Sequence, residues 1–183
     1  RFPFPMDIPV ALLPRDGTVQ LKYRIDYYNE DADECLPVSF LCDQVKPYNG
    51  DTPAAVTLVT PLLDDTSLPA GGSLEVTVPP GVVGGPQYNW KAGDFIAIYL
   101  VDGENIPEDP SEADLLHYQL MPNPGTAGAK IQIPADTIRA LGDTTGALIY
   151  VLRDAALNDR VVSLWTKVSL TFGDLPTALE LPR

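Results

Sequence analysis

Apolar and polar side chains alternate with a period of two along several short runs of this chain, and that period leaves few folds open. Val19, Leu21, Tyr23 and Ile25 alternate with Gln20, Lys22, Arg24 and Asp26. Leu74, Val76 and Val78 alternate with Ser73, Glu75 and Thr77, and Val168, Leu170 and Phe172 with Lys167, Ser169 and Thr171. Successive side chains of a strand point to opposite faces, so this pattern predicts strands with one face buried and the other wet. Residues 95–101 and 147–152 are apolar on both faces and read as central strands covered from both sides. Turn signals separate the runs, among them Asp16-Gly17, Asn49-Gly50, Ala70-Gly71-Gly72, Pro79-Pro80-Gly81, Gly84-Gly85-Pro86 and Gly142-Asp143. The 19 prolines and 14 glycines lie between apolar runs rather than in one tract, as many short strands joined by turns require. Helical expectations are confined to two places. Ser111-Glu112-Ala113-Asp114 could cap a short helix running to Leu120, and residues 135–141 suit a helical turn.

A chain of 183 residues has room for one large domain or two small ones with a real core. Its net charge of −13 repels phosphate, so nucleic acid is not an expected partner, and docking on anionic lipid is disfavoured as well. No stretch approaches the roughly 18 consecutive apolar residues of a membrane-spanning helix, so insertion is not expected. Cys35 and Cys42 would stand roughly 23 Å apart in one extended strand. A disulfide needs Cα atoms within about 7 Å, so a bridge would require a turn between them, for instance at Leu36-Pro37. The alternative is two separate, inert thiols.

The chain also repeats itself. Asp7-Ile8-Pro9-Val10-Ala11-Leu12-Leu13 resembles Gln132-Ile133-Pro134-Ala135-Asp136-Thr137-Ile138, and each is followed by a Gly-containing turn and a strand centred on a tyrosine, Tyr23 or Tyr150. A polar loop with Asn29 or Asn158 follows, then a serine in an apolar strand, Ser39 or Ser163. Pro53-Ala54-Ala55-Val56-Thr57-Leu58 matches Pro176-Thr177-Ala178-Leu179-Glu180-Leu181. These ordered matches lie at offsets close to 125 residues, which predicts a domain-sized repeat: a late half over residues 1–52, a complete unit over 53–174, and over 175–183 the first strand of a further repeat or a donor strand.

Those motifs resemble the tandem immunoglobulin-like repeats of large surface or secreted proteins of Gram-negative bacteria, pseudomonads among them. The family's proline-led first strand, leucine-acidic segment, Pro-x-Gly turn, aromatic approach to Gly-Asp, Ile-Pro segment and tyrosine-centred strand are matched in order. They fall on Pro53, on Leu63-Asp64-Asp65, on Pro69-Ala70-Gly71, on Tyr88 to Trp90 before Ala92-Gly93-Asp94, on Ile133-Pro134 and on Tyr150. Asp65 stands where the pattern has proline, the loop over residues 102–128 is long, and the partial repeat carries both cysteines. The resemblance implies an antiparallel immunoglobulin-like β-sandwich, with one complete and one partial repeat. It also implies an extracellular or cell-surface location and a structural or adhesive role without catalytic residues.

Candidate sites are therefore sought among binding residues. The one histidine, His117, leaves no obvious base for a nucleophile, and 25 acidic residues offer no pair singled out by spacing. Tyr88, Trp90 and Tyr118, with Tyr99, could form a platform on which the faces of a glycan stack. Asp102, Glu104, Asp109 and Asp114 could contribute oxygen ligands to calcium, although no EF-hand spacing is present, and no other cofactor is expected. Incomplete sheets leave open edges, so self-association or contact with neighbouring repeats is expected. In that reading Pro176, Leu179 and Leu181 of one copy add a strand to the next, head to tail, into a filament.

Overall fold

The computed structural model describes residues 5–28, 31–80, 90–103, 106–122 and 128–173. It is all-β apart from short helical turns, and it divides into two compact units, Arg1–Val45 and Lys46–Arg183. Among the described residues no helix is long and apolar enough to cross a membrane.

The first unit consists of two short antiparallel ladders. Strand β1 (Asp16–Leu21) pairs with β4 (Val38–Asp43), and β2 (Arg24–Ile25) pairs with β3 (Asp33–Glu34). A single 3-10 turn over Val10–Leu12 precedes them. The run expected as one strand over residues 19–26 is broken at Lys22 and Tyr23, where the pairing steps. From Leu21↔Val38 to Arg24↔Glu34, two residues on one side face three on the other, Cys35, Leu36 and Pro37. This bulge is closed by Tyr23, whose N–H donates to Cys35 Sγ (3.0 Å) while its carbonyl accepts from Cys35 N (3.0 Å).

The second unit is sandwich-like. One layer holds β5 (Leu62–Asp64), β12 (Thr166–Thr171), β10 (Thr144–Arg153), β7 (Phe95–Asp102) and β8 (Leu115–Leu120) in that spatial order, with β11 (Val161–Val162) beside β10. All neighbours are antiparallel except β5, which runs parallel to β12. The other layer pairs β6 (Ser73–Val78) with β9 (Ala129–Pro134), and Thr57 bridges to Thr77. The inner faces meet in one core. Val76, Val78, Ile131 and Ile133 from the small layer pack with Ile96, Ile98, Leu148, Tyr150, Leu152 and Leu170 from the large one. Strand β10 is covered on both faces as its apolar run requires, because Ala147 and Ile149 are buried on the far side with Val101, under Tyr99, Ile106 and Val162.

Of the two helical expectations one changes and one holds. The cap at Ser111 is real, since its Oγ accepts from Ala113 N (3.2 Å), but only a turn over Glu112–Asp114 is helical and residues 115–120 form β8. Pairing of β8 with β7 and burial of Leu116 outweigh the local helical signal. The helical turn expected from residue 135 is α1 (Ala135–Arg139), ended by Gly142 at φ 70°, a left-handed conformation that glycine adopts without strain.

The hydrogen bonds around Tyr150 repeat those around Tyr23. From Leu148↔Thr166 to Val151↔Val162, two residues again face three, here Ser163, Leu164 and Trp165. Tyr150 N donates to Ser163 Oγ (2.9 Å), and Ser163 N donates to the Tyr150 carbonyl (2.9 Å). The partner that corresponds to Ser163 is thus Cys35; Ser39, the expected match, lies in the β1–β4 ladder opposite Gln20.

Three further bonds tie the segment 53–58 to this hairpin. Tyr150 Oη donates to the Ala54 carbonyl (2.8 Å), Leu164 N to the Pro53 carbonyl (2.8 Å), and Thr166 Oγ1 to the Val56 carbonyl (2.6 Å). Asp65, the residue that departs from the repeat pattern, joins three elements at the other end of the sandwich. It pairs with Arg139 of α1 and accepts from Gly173 N (2.9 Å) beyond β12, while the Arg139 guanidinium lies 4.7 Å from the centre of the Phe172 ring. Replacing Tyr150 by Phe removes the donor to the Ala54 carbonyl, and the lost hydrogen bond is expected to cost about 0.5–1.5 kcal/mol. Urea unfolding followed by circular dichroism would register it as a lower midpoint with an unchanged slope.

Candidate functional site

The alternation that buries Ile96 and Ile98 sends Phe95, Ala97 and Tyr99 to the outer face of β7. In the neighbouring strand Tyr118 stands opposite Ala97, and its ring stacks on Phe95 with centroids 5.8 Å apart and planes 9° from parallel. These side chains, with Leu115, Val151 and Leu157, line a cleft of about 640 Å³ whose polar groups are Glu112, Arg153 and Arg160. Tyr118 is more than half exposed, so the aromatic pair is open to solvent. Burial pushes the Tyr99 phenol up, opposed by the nearby charge of Arg160.

A second hollow, of about 760 Å³, includes Ile106, Pro107, Asp109, Leu164 and Trp165, and Arg160 lines both. Arg160 pairs with Asp109 at 2.7 Å, which fastens the long loop after β7 to the turn after β10. That turn is built on the buried Asp154. Its carboxylate accepts from Asn158 N (2.8 Å) and Asn158 Nδ2 (2.7 Å), and its carbonyl accepts from Leu157 N (3.1 Å). Leu157 is held at φ 63°, a left-handed conformation that costs a non-glycine residue about 1–2 kcal/mol, and its side chain lines the aromatic cleft. Flat aromatic faces bounded by a guanidinium and a carboxylate suit a ligand with apolar CH faces and hydroxyl edges.

Of the residues singled out for a glycan platform, Tyr118 lies in this cleft and Tyr99 lines it. Trp90 does not. It is a core residue, 1% exposed, with its indole N–H directed to the Pro79 carbonyl (3.5 Å). The sandwich needs the volume of that ring more than the surface does. Tyr88 lies outside the described residues. The expected calcium ligands are not gathered: among the described residues no three His, Cys, Asp or Glu side chains come close enough to hold a metal. Asp109 is engaged by Arg160, Asp102 and Asp114 lie elsewhere along the chain, and Glu104 is outside the described residues. Pro176, Leu179 and Leu181 are outside them too. His117 lies on β8 with its Nε2 3.0 Å from Gln119 Oε1. Both thiols are free; Cys42 Sγ contacts the Pro14 carbonyl (3.1 Å).

Phe95, Arg153 and Arg160 were not anticipated. The alternation along residues 95–99 already places Phe95 beside Tyr99, so Phe95 was legible. The arginines were not, because their approach depends on how two loops fold over the sheet. Comparison with protein-family models finds no match, and comparison with curated proteins finds none either.

The buried polar residues among those described are Asp94, Asp154 and Ser163. Burial raises the Asp94 carboxyl above its ordinary 3.8; hydrogen bonds from the backbone of Lys91 and Ala155 oppose this, and the charge of Asp154 adds to it. A carboxyl raised on folding stabilises the fold at pH below its unfolded value. That contribution is lost as pH rises through the folded value. The opposite sign holds for Asp65, held low by the Gly173 N–H and by Arg139, whose contribution is present above 3.8 and lost in acid. Asp94→Asn should therefore remove a fall in stability on going from pH 4 to pH 7. Denaturant midpoints of both proteins across that interval would check it, and parallel curves would contradict the assignment.

Proposed function

We propose that this chain is a non-catalytic structural or adhesive module of a bacterial extracellular or surface protein, composed of one complete immunoglobulin-like repeat and part of another. One observation carries the reading. Tyr23 with Cys35 and Tyr150 with Ser163 make the same pair of hydrogen bonds at the same two-against-three step in their hairpins. A bulge of this kind is a specific device rather than a generic feature of strands, and its recurrence at the repeat spacing argues for duplicated units. The strand arrangement of residues 53–173 supports the immunoglobulin-like part. The first segment crosses from the small layer to a parallel β5–β12 pair, a helical turn separates β9 from β10, and the central tyrosine of β10 anchors back on the first segment.

In such an array each unit contacts its neighbours and the function is reach and presentation. Head-to-tail joining is part of the proposal, with residues 176–181 carrying the pattern of a first strand for an adjacent repeat. Electron microscopy and light scattering of the chain with and without residues 174–183 test this. Assemblies that vanish on deletion support strand addition. Assemblies that survive deletion, or a monomer throughout, end it.

A second reading, glycan binding, is favoured by the open Phe95–Tyr118 stack between Arg153 and Glu112. It predicts glycan-array signals that fall at least about tenfold in Tyr118→Ala while the melting temperature stays put, since that ring is largely exposed. Signals of equal strength in both proteins would remove the cleft from consideration.

A further inference from the structure

In the first unit the side chains that ought to form a core are on the surface. The shared bulge fixes the correspondence along the tyrosine hairpins, and the sequence match of Asp7–Leu13 with Gln132–Ile138 sets it for residues 6–10. Tyr23 is 51% exposed and Tyr150 0%; Met6 is 60% exposed and its counterpart Ile131 0%; Val10 is 65% exposed and Ala135 0%. Leu21 and Ile25 are likewise exposed where Leu148 and Leu152 are buried, and Ile8 is open where Ile133 is not. Leu21, Tyr23 and Ile25 correspond to the inner face of β10 in the large layer, and Met6, Ile8 and Val10 to β9 and the start of α1, so the exposed set draws on both layers of a sandwich whose other strands are not beside it. Two short hairpins alone bury too little to be stable, so this face is a seat rather than a finished surface.

The second unit shows what fills such a seat. There the same positions pack with Val56 of the segment 53–58, Val76 and Val78 of β6, and Ile96 and Ile98 of β7. We infer, resting on the repeat reading above, that the exposed face of residues 6–43 binds a half-repeat patterned like residues 53–130, which enters at Met6 and offers Tyr23 Oη a backbone carbonyl as Ala54 does for Tyr150. A single donated strand does not suffice. Within the tyrosine hairpin the segment 53–58 bonds to Tyr150, Leu164 and Thr166, so residues 176–181 of another copy would reach Tyr23, Leu36 and Val38 and leave Met6, Ile8 and Ile25 open. Further strands, placed as β6, β7 and β8 are, close the rest, because residues 6–9 themselves stand where β9 does.

The experiment uses the full chain extended at its start. Residues 46–130 are duplicated and joined ahead of Met6, and amide exchange is compared with the parent. Exchange over residues 16–43 is expected to slow by about a hundredfold or more, with loss of the parent's binding of an apolar dye. Leu21→Asp should abolish that protection in the extended chain while leaving residues 144–171 unchanged in both. The inference is overturned if residues 16–43 exchange as fast in the extended chain as in the parent. It is equally overturned if a peptide of residues 174–183 alone protects them in the parent, or if the parent is already protected there as a dimer. Residues 144–171 serve as the reference. Their failure to show protection would sink the repeat reading itself, whereas their protection beside an open residue 16–43 ladder sinks only the inference.

Discussion

Tyr150 is the point through which the two layers of the second unit are held in register. Its backbone closes the bulge with Ser163, its ring fills the core, and its hydroxyl reaches across to the Ala54 carbonyl. Burial raises the phenol far above its ordinary range, so it stays neutral and keeps donating. Tyr48, whose phenol is also raised by burial, interacts with it and donates to the Pro79 carbonyl. A bulge alone would twist the strand and leave its edge free. With the hydroxyl anchored on the first segment, the twist becomes a fixed crossing of the two layers.

The same local device serves two outcomes in one chain. Around Tyr150 it is buried and its ring has an opposite layer; around Tyr23 it is intact in its hydrogen bonds but its ring is open to water. The hydrogen bonds of the hairpin are thus the same whether its tyrosine ring is buried or open. The substitution of Cys35 for the hydroxyl of Ser163 keeps an acceptor for the tyrosine N–H, although sulfur is a weaker one.

Much of the strand pattern was legible. The alternation at residues 73–78 and 167–171 and the doubly apolar run of β10 appear as strands with the expected faces, whereas β7, expected to be covered on both sides, keeps Phe95, Ala97 and Tyr99 only half-buried because they line the open cleft. The run beginning at Ser111 misled, because a good cap describes only the first turn and says nothing of the partner strand waiting at Leu115. For the site, Tyr118 and Tyr99 were legible as aromatics on a face, but Trp90 was not separable from them. A tryptophan before a Gly-Asp turn reads the same whether it points in or out. The acidic loop residues suggested a cation, and the Asp109–Arg160 ion pair shows one carboxylate finding its counter-charge within the chain instead.

Period-two alternation and turn residues by themselves determined that the chain forms paired strands, with Tyr23 and Tyr150 each at the centre of an apolar run. These are local properties, set by which face each side chain takes and by where the backbone can turn. Which hairpin receives a covering layer, which aromatic is sunk and which left open, and how two arginines come to border a cleft were decided only by tertiary structure. Those outcomes depend on contacts between residues far apart in sequence, and no local pattern encodes the order in which strands lie side by side.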